Sequence, residues 1–145
     1  MEHFEEIKKT IGQYDIIYGL FKNFRLLNYH RDFEIIIQTE YLVKKLRIIL
    51  EGVVSVDFKS VIKGNAYKME RTYLSNNPPP NPIEGWVWGV GDFELMNYYL
   101  TEENEKIKAL QKDYNFKLFS LTFVVSTSEI EFIFHDLMIE ELAHY

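Results

Sequence analysis

The feature that most constrains the fold is an alternation of apolar and polar residues that recurs along the chain. In residues 31–38, Phe33, Ile35 and Ile37 occupy every second position. Successive side chains of a strand point to opposite faces of a sheet, so this pattern predicts a strand with one buried and one solvated face. The same alternation recurs in residues 44–51, 54–59, 119–125 and 130–134. Short links between such segments favour antiparallel pairing.

Two segments have helical spacing instead. Residues 2–11 carry apolar side chains at i, i+3 and i+7, and Gly12 is a plausible stop. Thr101 is a good N-cap, and the acidic residues that follow it suit the positive end of a helix dipole. The sequence therefore predicts an N-terminal helix and a second helix over residues 102–114.

The remaining segments are less regular. Tyr14–Phe21 is rich in Ile and Tyr, which predicts a strand. A second strand is predicted over residues 83–91. Gly52 separates two alternating segments, where a bulge or a tight turn would re-phase the pattern. Residues 24–29 fit a continuation of the strand or a turn, whereas residues 92–100 and 137–142 fit a strand or a helical turn.

Together these segments predict one α+β, mainly β, domain over residues 1–145. Its expected form is one curved antiparallel sheet of about six to seven strands, with the two helices at one edge or face. A chain of 145 residues is long enough to bury a core of its own. All four prolines lie in residues 75–82, which we interpret as a stiff Asn/Pro-rich connector loop, with a docking loop as the alternative.

The sequence contains little that indicates catalysis or a cofactor. It has no cysteine, which excludes thiolate zinc sites, iron–sulfur clusters and cysteine nucleophiles. It also lacks a P-loop, an EF-hand and a nucleophile elbow. Glu129 and Glu131 share one face of a predicted strand, and the polar face of an amphipathic strand explains them better than a catalytic pair does. We therefore expect no enzymatic activity, no cofactor and no metal site.

Charge is distributed unevenly along the chain. Residues 1–72 contain 12 basic and 10 acidic residues, whereas residues 73–145 contain 4 and 12. An acidic surface repels phosphate backbones and attracts basic proteins, so the sequence disfavours nucleic acid as a partner. The opening is acidic and no stretch is long and apolar enough to span a bilayer, which predicts a cytoplasmic protein without membrane contact.

The aromatic and acidic residues of the second half form the candidate contact tract. Aromatic side chains supply binding energy at protein interfaces, and acidic groups steer a basic partner. For the two tryptophans, burial in the core is the alternative interpretation. The tract comprises Trp86, Trp88, Asp92, Glu94, Glu102, Glu103 and Glu105.

Two stretches carry a resemblance to a known family. Residues 46–58 resemble its strand–Gly–Val–strand signature, and residues 118–134 resemble its C-terminal hairpin. Both look like the small bacterial proteins of the YxiG type, which in turn resemble immunity proteins found beside genes for contact-dependent toxins. The resemblance implies a small, cofactor-free cytosolic protein that occupies the active face of a toxin domain.

The leading hypothesis is therefore a non-catalytic protein-binding module, an immunity protein that neutralises a basic cognate toxin domain. The alternative is a small-molecule binding β-domain, in which the sheet encloses an apolar ligand. An enzyme with an unrecognised carboxylate site and an oligomerising structural protein are less favoured.

Overall fold

The computed structural model describes residues 2–28, 31–39, 44–60, 93–125 and 128–142. The mainly β, antiparallel prediction is confirmed, and the described residues contain eight strands, one more than the upper expectation. The predicted connector loop and the strand predicted over residues 83–91 lie outside them. In chain order the elements are α1 (Glu2–Gly12), β1 (Leu20–Leu27), β2 (Asp32–Gln38), β3 (Lys45–Glu51), β4 (Ser55–Ser60), β5 (Phe93–Thr101), α2 (Glu105–Gln111), β6 (Phe119–Val125), β7 (Ser128–Phe134) and β8 (Asp136–Leu142).

The eight strands form one antiparallel sheet in the order β4-β7-β6-β5-β1-β2-β3-β8. Three strands separate β2 from β7 in this order, yet the rings of Phe33 on β2 and Phe132 on β7 lie 4.8 Å apart. Phe21 on β1 and Phe123 on β6 are 5.4 Å apart. The sheet therefore folds over, so that its first half (β1, β2, β3 and β8) packs against its second half (β4, β5, β6 and β7).

Two long antiparallel segments run through the bend between the halves, β3 into β4 and β7 into β8. Glu51 lies opposite Asp136 on one side of the bend, and Ser55 lies opposite Ile133 on the other. One segment therefore has an extra residue, at Gly52, whose φ is +63°. The irregularity predicted at this glycine is confirmed, but the alternation keeps its phase. Leu50 before the glycine and Val56 after it are both even-numbered, and they lie opposite the core residues Leu137 and Phe132.

Replacing Gly52 with alanine is expected to destabilise the protein by about 1–2 kcal/mol, because a side chain is strained at positive φ. The new Cβ would also lie 3.1 Å from the Cβ of His135. Urea denaturation measures the effect. Gly12→Ala is the matched control, since nothing lies within 4 Å of its added Cβ at the end of α1. An equal effect at both positions would contradict a special backbone at the bend.

The core lies between the two halves, and α1 packs against it. The buried residues of α1 are Ile7 and Ile11, and the ring of Phe4 stacks on Phe119 of β6 at 5.8 Å. The predicted N-terminal helix is thus confirmed, as is its end at Gly12. None of the described helices is long and apolar enough to cross a membrane.

The predicted start of the first strand is wrong. Residues 14–19 are not in a strand, and β1 instead spans Leu20–Leu27, which includes most of the segment left open as a strand or a turn. The chain turns before β1, where the amide of Gly19 donates to the carbonyl of Ile16 at 2.9 Å and Tyr18 has a φ of 69°. The apolar run concealed this turn, because its residues are also suited to burial.

The predicted bounds of the second helix are also wrong. Thr101 still belongs to β5, opposite Ser120 of β6, and therefore does not cap the helix. Asn104 is the N-cap, and its side-chain oxygen accepts from the amide of Ile107 at 2.7 Å. The helix consequently begins at Glu105, three residues later than predicted, and ends at Gln111.

The outer face of the first half carries a buried carboxylate, Glu34 on β2, which is 4% exposed. The Nε of Arg25 donates to it at 2.7 Å, and Arg47 donates to its other oxygen. Arg47 also donates to Glu140 at 2.9 Å. Burial raises the pKa of Glu34, but the hydrogen bonds from the two arginines outweigh it and hold the pKa below the ordinary 4.5. Glu34 is therefore charged at neutral pH.

Candidate functional site

A polar cleft of about 170 Å³ lies on the outer face of the second half, beside α2. Strands β4, β6 and β7 form its floor, and α2 contributes one lysine. Its lining is charged or hydroxylated throughout: Asp57, Lys59, Lys106, Thr122, Glu129 and Glu131.

Lys106 holds the cleft together. Its Nζ lies 2.9 Å from a carboxylate oxygen of Asp57 and 2.9 Å from one of Glu131. The other oxygen of Glu131 accepts a hydrogen bond from the hydroxyl of Ser120 at 2.9 Å. One ammonium group thus links α2 to two neighbouring strands.

These contacts keep the lysine charged. Hydrogen bonds to Glu131 and Asp57 raise the pKa of Lys106 above its ordinary value. The hydrogen bond from Lys106 likewise lowers the pKa of Asp57. A lysine acts as a nucleophile or a general base only when its pKa is lowered, so the shift of Lys106 has the wrong direction for that chemistry.

The alternation of β4 and β7 explains the chemistry of the cleft. Asp57 lies opposite Glu131, and Lys59 lies opposite Glu129, on the outer face. The intervening Ile130 and Phe132 of β7 are buried against the core. The interpretation of Glu129 and Glu131 as the polar face of an amphipathic strand is therefore confirmed.

Helix α2 is positioned by an apolar contact of its own. Ile107 is buried in a small cluster with Leu118 and Ile133, which lies on the outer side of the sheet. Lys106 is the residue before Ile107, and the Asn104 cap fixes where the helix begins. The cap and the cluster together hold the Lys106 side chain over the strands.

The described acidic residues of the predicted contact tract lie in two places. Glu102 and Glu103 follow β5, and Glu105 opens α2 next to Lys106. Glu94 lies near the start of β5, opposite Leu20 of β1. At 3.3 Å per residue, the length of β5 places Glu94 roughly 20 Å from the acidic residues that follow the strand. The structure thus brings three of these acidic residues together and leaves Glu94 apart. Trp86, Trp88 and Asp92 lie outside the described residues.

The cleft and the start of α2 form one continuous surface with an excess of negative charge. We call it the acidic surface. Glu103 is exposed, and Glu105 is 96% exposed. The lysines on it are Lys59, Lys106 and Lys108, and Lys108 lies 4.0 Å from Glu105. Its carboxylates outnumber these lysines six to three and are Asp57, Glu102, Glu103, Glu105, Glu129 and Glu131.

The sequence pattern did not indicate the role of Lys106 or the contribution of β4. Asp57 and Lys59 fall on the predicted polar face of a strand, but the pattern does not state which strand is its neighbour. Strand β4 pairs with β7, which begins 68 residues after β4 ends. The alternation is a local signal and carries no information about a partner so distant in the chain.

The chemistry available at this site is that of charge and hydrogen bonding. Within the described ranges, no group of three or more His, Asp or Glu side chains is arranged to hold a metal ion. No protein-family model and no curated protein matches this chain. The resemblance to the YxiG-type proteins therefore stays a prediction.

Proposed function

We propose that the protein is a non-catalytic binding module for a basic protein, and specifically a cytoplasmic immunity protein that neutralises a cognate toxin domain. The observation that carries the proposal is the acidic surface, with its six carboxylates and three lysines in the cleft and around the start of α2. A partner of opposite charge is attracted to such a surface over about 10 Å at ordinary ionic strength.

The geometry of the cleft supports a macromolecular partner over a small ligand. Sites for small molecules usually have volumes of about 300–1,000 Å³ and an apolar lining. This cleft has about 170 Å³ and six polar lining residues. The ion pairs of Lys106 instead hold the carboxylates of Asp57 and Glu131 in fixed orientations, to which basic side chains of a partner can bind.

Packing of the core counts against the apolar-ligand alternative. Phe123 and Phe132 are at most 1% exposed, and their ring centroids lie 6.0 Å apart. Both also contact aromatic rings of the opposite half. Side chains rather than an apolar ligand thus occupy this part of the space between the halves.

A direct test is co-purification with the toxin C-terminal domain encoded beside this gene. We expect a one-to-one complex, and we expect co-expression to protect cells from that domain. A toxin that stays active in the presence of an excess of the folded protein would overturn the immunity proposal.

Charge reversal tests the role of the acidic surface in that complex. The double variant Glu103→Lys and Glu105→Lys is expected to slow association by about tenfold at low salt, with a smaller effect as salt screens the charges. Stopped-flow association kinetics over a salt series measures it.

The matched control is Glu2→Lys and Glu5→Lys at the start of α1. These residues are exposed and lie in a first helical turn, as Glu105 does. The control changes the net charge equally but leaves the acidic surface intact. Equal slowing by both double variants would mean that net charge, rather than this surface, controls association.

A further inference from the structure

Among the strands that the structure describes, β4 lies at one edge of the sheet and has β7 as its neighbour. Residues 56–59 of β4 are all exposed. Phe58 is 63% exposed and Val56 is 45% exposed, although both lie on the side of the sheet that faces the core. An exposed apolar edge strand is a template for pairing with another strand.

The sequence of β4 is complementary to itself. If two copies pair in antiparallel orientation about a two-fold axis at Phe58, each Phe58 lies opposite the other. Asp57 of each copy then lies opposite Lys59 of the other. Opposite charges and aromatic side chains directly across a strand pair are both stabilising. A two-fold interface uses the same surface on both copies, so this self-complementarity is what such an interface requires.

The neighbouring registers lack this complementarity. An axis at Asp57 places two aspartates opposite each other, and an axis at Lys59 places two lysines opposite each other. Like charges directly opposite are destabilising. An axis between two residues pairs a charged side chain with an apolar one, because adjacent residues of β4 alternate in character. The charges of β4 thus select the register centred on Phe58.

We propose that the β4 edge pairs with the β4 edge of a second copy of this chain, in the antiparallel register centred on Phe58. The two sheets then continue into each other across the axis. Asp57 and Lys59 also line the cleft, so the clefts of the two copies lie side by side on the same outer face. The argument for this dimer does not rest on the proposed function, although Asp57 and Lys59 also belong to the acidic surface.

Thiol crosslinking tests the register, because the natural chain has no cysteine. Phe58→Cys places two Cβ atoms opposite each other at about 4.5–5.5 Å, close enough for a short thiol crosslinker. We expect this variant to form a covalent dimer of the full-length chain. Val56→Cys is the matched control on the same strand and face. In this register the two thiols introduced at position 56 of the dimer are four residues apart along the strands, so they should not crosslink. Equal crosslinking of both variants, or of neither, would overturn the proposal.

Sedimentation velocity over a range of protein concentrations tests the charges. We expect a reversible monomer–dimer equilibrium, which Lys59→Asp weakens roughly tenfold because two like-charge pairs replace two opposite-charge pairs. Combining Asp57→Lys with Lys59→Asp is expected to restore the affinity. Lys108→Asp makes the same change of net charge on α2, where Lys108 is 70% exposed, and should leave the dimer unchanged.

The double variant Asp57→Lys and Lys59→Asp also loses the ion pair between Asp57 and Lys106, so circular dichroism must show that it is folded. If the double variant is not folded, Lys59→Asp and the two cysteine variants decide whether the β4 edges pair. A natural chain that stays monomeric at every concentration would overturn the proposal, as would a dimer that Lys59→Asp does not weaken.

Discussion

Replacing Phe132 with alanine is expected to lower the free energy of unfolding by about 3–5 kcal/mol, the usual cost of deleting a buried aromatic ring. Phe132 is 1% exposed and contacts Phe33 of the opposite half at 4.8 Å. The substitution removes this contact across the core and leaves a cavity between the two halves. Urea denaturation followed by circular dichroism measures the loss.

The same chemical change at an exposed position is the control for this prediction. Phe58→Ala, at a side chain that is 63% exposed, should change the stability of the monomer by no more than about 0.5 kcal/mol. The comparison is made at low protein concentration, where self-association does not contribute. A loss below about 1 kcal/mol for Phe132→Ala would contradict face-to-face packing of the two halves.

Replacing Glu34 with alanine is expected to destabilise the protein by about 2–3 kcal/mol, less than the 3–5 kcal/mol typical of a fully buried pair. The reduction follows from solvent access, because Arg25 is 60% exposed and Arg47 is 29% exposed. Glu140→Ala removes a second partner of Arg47, but Glu140 is 44% exposed. That control should cost about 1 kcal/mol or less. Similar losses for both variants would contradict the burial of Glu34.

The lowered pKa of Glu34 also gives its contribution a pH dependence. The unfolded chain has the ordinary pKa of 4.5 and the folded protein a lower one, so the carboxylate stabilises the fold fully above pH 4.5. This contribution disappears as the pH falls through the folded-state pKa. The stability difference between the natural protein and Glu34→Gln should therefore narrow on acidification below pH 4.5. A constant difference from pH 7 to pH 3 would contradict the prediction.

Local patterns predicted the strands whose two faces differ in environment. The alternation in residues 31–38 and 119–125 arises because one face of β2 and of β6 packs on the core. The sequence-based prediction failed at Tyr14–Phe21, because an apolar run without alternation does not reveal the turn before Leu20. It also could not reveal the fold-over of the sheet, which depends on contacts such as Phe33 with Phe132.

The acidic surface was predicted in part. Glu102, Glu103 and Glu105 are close in sequence and therefore stay close in space. Their association with the cleft depends on Lys106 reaching two strands that are distant in the chain. The position of the N-cap determines which residue of α2 contacts these two strands. Sequence composition identified Thr101 as the cap, whereas strand pairing keeps Thr101 in β5 and leaves Asn104 to begin the helix.

The bend at Gly52 has a consequence for how the protein folds. Because β3–β4 and β7–β8 each run through both halves of the sheet, neither half can form completely without the other. Unfolding should therefore be cooperative, with a single transition for both halves. The hairpins β1–β2 and β6–β7 are local, whereas the pairings of β3 with β8 and of β4 with β7 close loops of more than sixty residues. The search for those two distant pairings is then the slow step, and it places this chain among the slower-folding β-proteins of its size.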